Sequence, residues 1–507
     1  MGRHLRWAAA GALLAAIAAT AARLLGPLAV RFGIDDGIAA GDKGLITQAA
    51  LVFLGLLVVQ YGAQRLAQYA VASVGERFLL ALRSSVFGHI LGLDMPYFDR
   101  TKTGVVVARM TSDVEALTEF ANEGAVMALT NLLTALGVAV AMLLVDWRLA
   151  IAVFALIAVV VVLSIVFQIE ASRAYARVRE RVGRVLASLQ EGITGVRVVQ
   201  AFTQHREQAG TFGRVNERFF EANMQAAAAI SWYFPAVALL RVVGIGLVLF
   251  FGGRRVIGGE LSVGSLVVFL LYVDWFFQPF INLANFYNLL EAALAALGKL
   301  FEVLDERPTV TDRPGAYDLP DHPGGRLTLE LVTFGYDPER PVLDAVDLTV
   351  EPGTRLAVVG ETGAGKSTIA KLLLRFYDPT AGSVGVDGHD LRDLTAASRC
   401  GSIVLIPQDG FLFNGTMRDN LRYGVPDAPD QALWDVLRAM GIDDWVRALP
   451  DGLDTELGER GSRLSAGERQ LVALGRACLV DPAVIVLDEA TSNLDPETEV
   501  NVEGALR

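Results

Sequence analysis

The sequence predicts a multi-domain chain, an all-α polytopic membrane domain followed by an α/β nucleotide-binding domain. Three observations carry that prediction. The 507 residues are 53% hydrophobic with a mean hydropathy of +0.42, above a soluble composition and suited to membrane spans. The long apolar segments all lie in the first 290 residues or so. From Arg326 onward, short apolar strands alternate with helical stretches around a glycine-rich turn, "VVGETGAGKSTIAKLLLRF" (358–376), as in an α/β phosphate-binding fold.

Six segments approach the ~20 residues needed to cross a bilayer, over 7–30, 46–70, 122–146, 148–168, 230–252 and 262–286. The first has a rival reading, because "MGRHLRW" followed by an apolar run and "ATA" (19–21) resembles a signal peptide. Cleavage would strand the nucleotide half outside, away from ATP, so six long helices are expected. The links after the first and third spans, "DDGIAAGDKG" (35–44) and "VDWR" (145–148), are short. Those after the second and fourth are long and carry Arg77, Arg83, Arg100, Arg109, Arg177, Arg179, Arg181 and Arg184. Arginine in connections marks the cytoplasmic side. "GGRRVIGGE" (252–260) is the exception, placing Arg254 and Arg255 outside. Six spans then leave the N-terminus and the nucleotide-binding domain both in the cytoplasm of a multi-pass cell-membrane protein.

The long inner connections read as helical extensions, since Leu79, Leu82, Val86 and Ile90 share one helical face. "LDERPTVTDRPGAYDLPDHPGG" (304–325), with its prolines and mixed charge, reads as a linker. The expected domains are therefore 1–303, the linker, and 326–507. Charge divides with them. Residues 1–325 hold 27 Lys+Arg against 26 Asp+Glu, and 326–507 hold 17 against 30. An acidic nucleotide half argues against a nucleic-acid partner. The only cysteines, Cys400 and Cys478, allow neither a disulfide framework nor a zinc spacing, which suits a reducing compartment.

Gly360-Glu361-Thr362-Gly363-Ala364-Gly365-Lys366-Ser367 fits G-x-x-x-x-G-K-[ST], with the apolar run 356–359 before it as a strand and a helix after. Glycines let backbone N–H groups turn toward phosphate oxygens at a positive helix end. Lys366 would neutralise the β- and γ-phosphates of ATP, and Ser367 would hold Mg²⁺. "AVIVLDEA" (483–490) supplies a buried strand ending in Asp488 and Glu489. Asp488 would hold the Mg²⁺ and Glu489 would polarise the attacking water as general base.

Between them, "RLSAGERQLVALGRACLVDP" (463–482) opens a helix with Ser465-Ala466-Gly467-Glu468. This resembles the signature of ATP-binding-cassette (ABC) proteins, written LSGGQ. Gln408 in "LIPQDGFLF" matches that family's Q-loop, "TELGERG" (455–461) its X-loop, and "SNLD" (492–495), ending in Asp495, its D-loop. Tyr336 sits where the family stacks an aromatic on adenine; a strand-core tyrosine is the plainer alternative. With six spans ahead of one cassette, nearly the whole chain resembles a half-size ABC exporter.

The resemblance implies further roles. Thr368 would join the phosphate-binding residues, and Gln408 would reach the metal. "DMPYFDRTKTG" (94–104) and "EGITGVRVVQAF" (191–202) would include coupling helices. Ser465 and the Gly467 N–H would reach the γ-phosphate held by a second subunit, so the partner is a second half-transporter, identical or different. Ala466 and Glu468 depart from Gly and Gln, which keeps open a heterodimer with one weak ATP site. The family's histidine after the Asp-Glu pair has no counterpart, the last histidine being His389. The chain therefore reads as truncated at its C-terminus and poorly active as it stands.

The implied function is ATP-driven export of a lipidic or amphipathic small molecule across the bilayer. An importer on the exporter fold, as for some siderophore carriers, and an ATP-gated regulator or channel subunit are the alternatives. Arg23, Arg65, Arg241 and Asp274 within the spans are the only substrate hint, and intramembrane charges often line a pathway.

Overall fold

The computed structural model describes residues 3–320, 323–337, 339–408 and 410–488. They divide into two compact units, Met1–Leu91 with Gly104–Asp305, and Gly92–Thr103 with Glu306–Arg507. The first unit is helical. It holds α1 (Arg3–Phe32), α2 (Lys43–Leu91), α4 (Thr103–Ala108), α5 (Val114–Glu119), α6 (Ala125–Thr194), α7 (Val196–Ala201), α8 (His205–Ser231), α9 (Tyr233–Leu247), α10 (Gly253–Ile257) and α11 (Val263–Asp305). The short α3 (Met95–Arg100) groups instead with the second unit.

Among the described residues, 5 helical stretches rather than six are long and apolar enough to cross a membrane. From Ala125 onward, the segments expected over 122–146 and 148–168 both lie in α6, which runs across a kink at Asp146 (φ −160°, ψ 108°). Asp146 has left the helical region, and its Oδ1 accepts from the backbone N–H groups of Arg148 and Leu149 at 3.0 Å. It thus caps the second half of α6 as a fresh helix. The two segments are continuous by helix assignment and separate by backbone geometry.

Val138, Met142 and Val153 of α6, Tyr233 and Val237 of α9, and Phe269, Tyr272 and Phe277 of α11 are buried together as the core of this unit. Apolar side chains such as Leu54, Val58 and Leu144 point outward, as a lipid-facing surface requires. The extension of α2 presents the expected face. Leu79, Val86 and Ile90 are buried against Val114 and Leu117 of α5 and Leu300 and Val303 of α11, with Leu82 packed beside them.

The second unit holds two sheets. Strands β1 (Leu327–Phe334), β2 (Leu343–Val350), β3 (Ala381–Val386) and β4 (His389–Asp390) form an antiparallel sheet in the order β2-β1-β3-β4. Strands β5 (Ile403–Ile406) and β6 (Val484–Leu487) pair in parallel. Helices α12 (Lys366–Leu373), α13 (Ala396–Ser402), α14 (Met417–Leu421), α15 (Asp430–Ala439), α16 (Asp443–Ala448) and α17 (Ala466–Val480) complete it. One core lies under the antiparallel sheet, with Leu329, Val332, Leu372, Val384 and Ile403 buried together. Another joins α14–α17 through Met417, Leu433, Leu437, Val446 and Leu474.

One expectation changes here. The strand expected over 356–359 is not formed. Among the described residues no neighbour offers it a ladder, and Val359 is 88% exposed; an apolar run becomes a strand only where its N–H and C=O groups find partners. The segment expected as a linker, 304–325, is anchored at several of its described residues. Tyr317 N donates to Asp393 O and Thr395 N to Tyr317 O, each at 3.0 Å. Leu319 is buried in the sheet core, and Asp312 lies near the guanidiniums of Arg375 and Arg399.

Candidate nucleotide-binding site

Backbone geometry makes the phosphate loop. Gly363 and Gly365 take φ +88° and +91°, the left-handed region where a side chain is strained. A Cβ on Gly365 would also come within 2.8 Å of Leu343 Cδ2. Gly365 caps α12, so the loop delivers its N–H groups to a helix start. Gly360, Glu361, Thr362, Gly363, Ala364 and Ser367 are arranged along this loop and helix start, and Thr368 is buried behind them. Lys366 Nζ donates to the carbonyls of Gly360 and Glu361 at 2.7 and 2.9 Å. The ammonium is thereby folded over the concavity of its own loop, where it faces any anion seated there.

Gln408 and Asp488 arrive from the parallel pair. β5 and β6 run in register to Ile406↔Leu487, and Asp488 N donates to Ile406 O at 3.1 Å. Gln408 and Asp488 thus emerge side by side from the carboxyl ends of adjacent strands, where open α/β sheets place ligand-binding groups. Both are exposed. Ser367, Gln408 and Asp488 offer hard oxygen donors, the kind Mg²⁺ accepts alongside waters and phosphate oxygens. Glu489 and Asp495 lie outside the described residues.

Tyr336 follows β1 and is 49% exposed. It packs edge-on against Phe334 and Tyr377, with centroids 5.2 and 5.3 Å away. Its hydroxyl lies 3.3 Å from Thr368 Oγ1. Lys371 Nζ sits 5.3 Å from its ring centroid. Behind the tyrosine lies a cluster that sequence reasoning missed. Asp99, on α3, accepts from Lys371 Nζ at 2.9 Å and from the Tyr377 hydroxyl at 2.6 Å. Partial burial disfavours the Asp99 carboxylate, but these two donors and the lysine charge outweigh it and hold its pKa below the ordinary range. Burial first, then Asp99, pushes the Tyr377 phenol up. No local motif announces a contact 272 residues apart in sequence.

The signature segment has its own logic. Ser465 Oγ accepts from Glu468 N at 3.2 Å, and Ser465 N donates to Glu468 Oε2 at 2.6 Å, a capping box at the start of α17. Glu468 Oε1 also accepts from Trp445 Nε1 at 3.0 Å. The glutamate therefore anchors the helix start, with Ser465 and Ala466 exposed above it and Gly467 half-buried. The S-x-x-E spacing was a readable signal for this cap.

Sequence comparison matches residues 10–280 to the ABC transporter transmembrane region and 343–492 to the ABC transporter ATP-binding family. The chain belongs to the ABC transporters. It is 34% identical over 504 residues to the multidrug efflux ATP-binding/permease protein Rv0194 of Mycobacterium tuberculosis, covering 99% of this chain and 42% of that protein. It is 32% identical over 481 residues to the ATP-dependent lipid A-core flippase of Thiobacillus denitrificans, covering 93% of this chain and 82% of the flippase. A bacterial Atm1-family ABC exporter solved with ATP bound superposes with a TM-score of 0.81 at 26% identity, over 100% of this chain and 89% of that one. The ABC assignment makes this an ATP-binding, multi-pass membrane transporter of the exporter fold. Its ATPase domain implies hydrolysis coupled to transport.

Proposed function

We propose that this ABC transporter exports a lipidic or amphipathic small molecule. The observation that carries the reading is the phosphate loop, with Lys366 folded over it, on the same chain as the membrane-crossing helices. The loop from Gly360 to Ser367, with Thr368, takes the phosphates of ATP; Tyr336 stacks the adenine; Ser367, Gln408 and Asp488 hold Mg²⁺, which neutralises phosphate charge. Glu489 withdraws a proton from the attacking water. Ser465 to Glu468 serve the site of a second subunit, identical or different, and Asp495 lies in the family's D-loop. Lipid A and drugs, the cargoes named for the two relatives, are amphipathic, which supports that cargo class here.

The protein sits in the cell membrane with its N-terminus and nucleotide-binding domain in the cytoplasm. Its domains are 1–303, the linker 304–325, and 326–507. Transport by inside-out membrane vesicles tests the reading, using a panel of labelled amphiphiles. ATP-driven accumulation is expected. ATP-driven loss of preloaded cargo would make the protein an importer, and flux indifferent to ATP would make it a regulator.

A further inference from the structure

Arg23 of α1, Arg241 of α9, and Asp274 and Trp275 of α11 bring three ionisable groups together inside the membrane unit. Asp274 Oδ1 accepts from Arg241 Nη1. Arg23 lies with its guanidinium carbon 4.6 Å from the centroid of the Trp275 ring. It makes no hydrogen bond or ion pair among the described residues. Two guanidiniums thus lie near a single carboxylate that only Arg241 engages, and one positive charge is left over.

That charge lies inside the span expected over 7–30, short of either bilayer surface. Arg23 is roughly 10 Å from Val30, where that span ends, and 24 Å from Trp7, where it begins, along the helix axis at 1.5 Å per residue. Snorkelling spans only the length of a side chain. A guanidinium facing lipid there costs at least about 2.5–3.5 kcal/mol. An aqueous passage or a bound anion removes that cost.

A second, independent feature marks the same level. Pro27 lies inside α1 and Pro279 inside α11. A helical proline cannot donate to the carbonyl four residues earlier, which here is that of Arg23 and that of Trp275. Both helices therefore lose a backbone bond at the charged cluster. Close by, the Tyr272 hydroxyl donates to Leu24 O at 2.6 Å. Within a bilayer, broken helix backbone is tolerated where it is covered by protein or lines a water-filled cavity. The Arg241 and Asp274 side chains are 39% and 47% exposed, so the described residues of this chain leave the cluster partly uncovered.

We propose that Arg23, Arg241, Asp274 and Trp275 form a binding site for the anionic head group of an amphiphilic cargo, a phosphate monoester carrying an alkyl chain being the simplest example. This rests on the proposed transport function and adds the sign of the cargo's charge. The two guanidiniums supply planar, forked donors that match phosphate oxygens. Asp274 fixes Arg241 and repels a second anion, and the indole covers the head-group side of the chain.

Equilibrium binding to the full protein in nanodiscs, without nucleotide, tests the site, with dodecyl phosphate, dodecyltrimethylammonium and inorganic phosphate as probes. Dodecyl phosphate should bind more tightly than either of the others. Arg23→Gln should weaken dodecyl phosphate binding roughly 10- to 100-fold, the worth of a charge-assisted hydrogen bond, and leave the cationic probe unaffected. Asp274→Asn should bind the anion more tightly, because the surplus positive charge grows. Arg23→Lys, which keeps the charge and loses the fork, should fall between wild type and Arg23→Gln, and it serves should the glutamine variant fail to fold. Equal or tighter binding of the cation would overturn the proposal, as would an unchanged anion affinity in Arg23→Gln or weaker anion binding in Asp274→Asn. Inorganic phosphate binding as well as dodecyl phosphate would overturn the amphiphile assignment. Normal anion binding by a protein that shows no ATP-driven flux would support the site and count against the transport function alone.

Discussion

Lys366 illustrates what a single side chain can and cannot reveal. Its proposed role at the phosphates rests on the motif, and the structure adds the detail that its ammonium donates to the carbonyls of Gly360 and Glu361. Glu468 is the opposite case. The sequence presents it as a departure from glutamine, whereas its carboxylate is engaged by Ser465 N and Trp445 Nε1. Local spacing encoded the cap; the tryptophan contact, 23 residues away, depends on how α16 and α17 pack. Lys366 and Glu489 should separate binding from chemistry. Lys366→Ala should weaken ATP binding by roughly 10- to 100-fold through loss of charge-assisted hydrogen bonds. Glu489→Gln should bind ATP normally while hydrolysis falls by about 10²–10⁴. Nucleotide titration and phosphate release measure the two. Unaltered affinity in the first variant, or near-normal turnover in the second, would remove that residue from its role.

At the scale of elements, periodicity was legible and pairing was not. The face of Leu79, Val86 and Ile90 could be read because a helix writes its burial at regular spacing. The run 356–359 looked like a strand by composition, but a strand also needs neighbours, and composition does not report them. The anchoring of 304–325 was not legible in its composition, because the hydrogen bonds of Tyr317 and the ion pairs of Asp312 are made to residues far along the chain. The short helix α3 is the most consequential of these non-local cases. Through Asp99 it holds Lys371 and Tyr377, the two side chains that bracket the exposed ring of Tyr336. A change in how Tyr336 is packed is therefore mechanically linked to α3. Asp99→Asn should lower cargo moved per ATP hydrolysed more than it lowers hydrolysis itself. Lys371→Gln should do the same, and the double variant should be little worse than either single one, since groups in one network are non-additive by about 0.5–3 kcal/mol. Coupled transport and phosphate-release assays in proteoliposomes measure this; losses that simply add would show that Asp99 and Lys371 act independently.

For the whole molecule, the two-part design was visible because a bilayer and a nucleotide impose such different chemistry on sequence. What one chain cannot display is the completion of an ATP site by another chain. The phosphate loop and the start of α17 lie on the same second unit, so either cis or trans completion must be decided by experiment. Gly467→Asp is suited to this. An acidic residue in the first turn of α17 favours the helix, yet it places negative charge where a γ-phosphate would dock. Hybrid dimers carrying Lys366→Ala in one subunit and Gly467→Asp in the other can be isolated with two different tags. If signature and phosphate loop meet in trans, one composite site carries both lesions and the other carries neither. The hybrid should then occlude ATP at its undamaged site, although each parental homodimer fails to do so. If the sites were completed in cis, every site in the hybrid would carry a lesion and occlusion would be lost. Occlusion confined to the hybrid is the expected result, and its absence in correctly assembled hybrids would refute completion in trans.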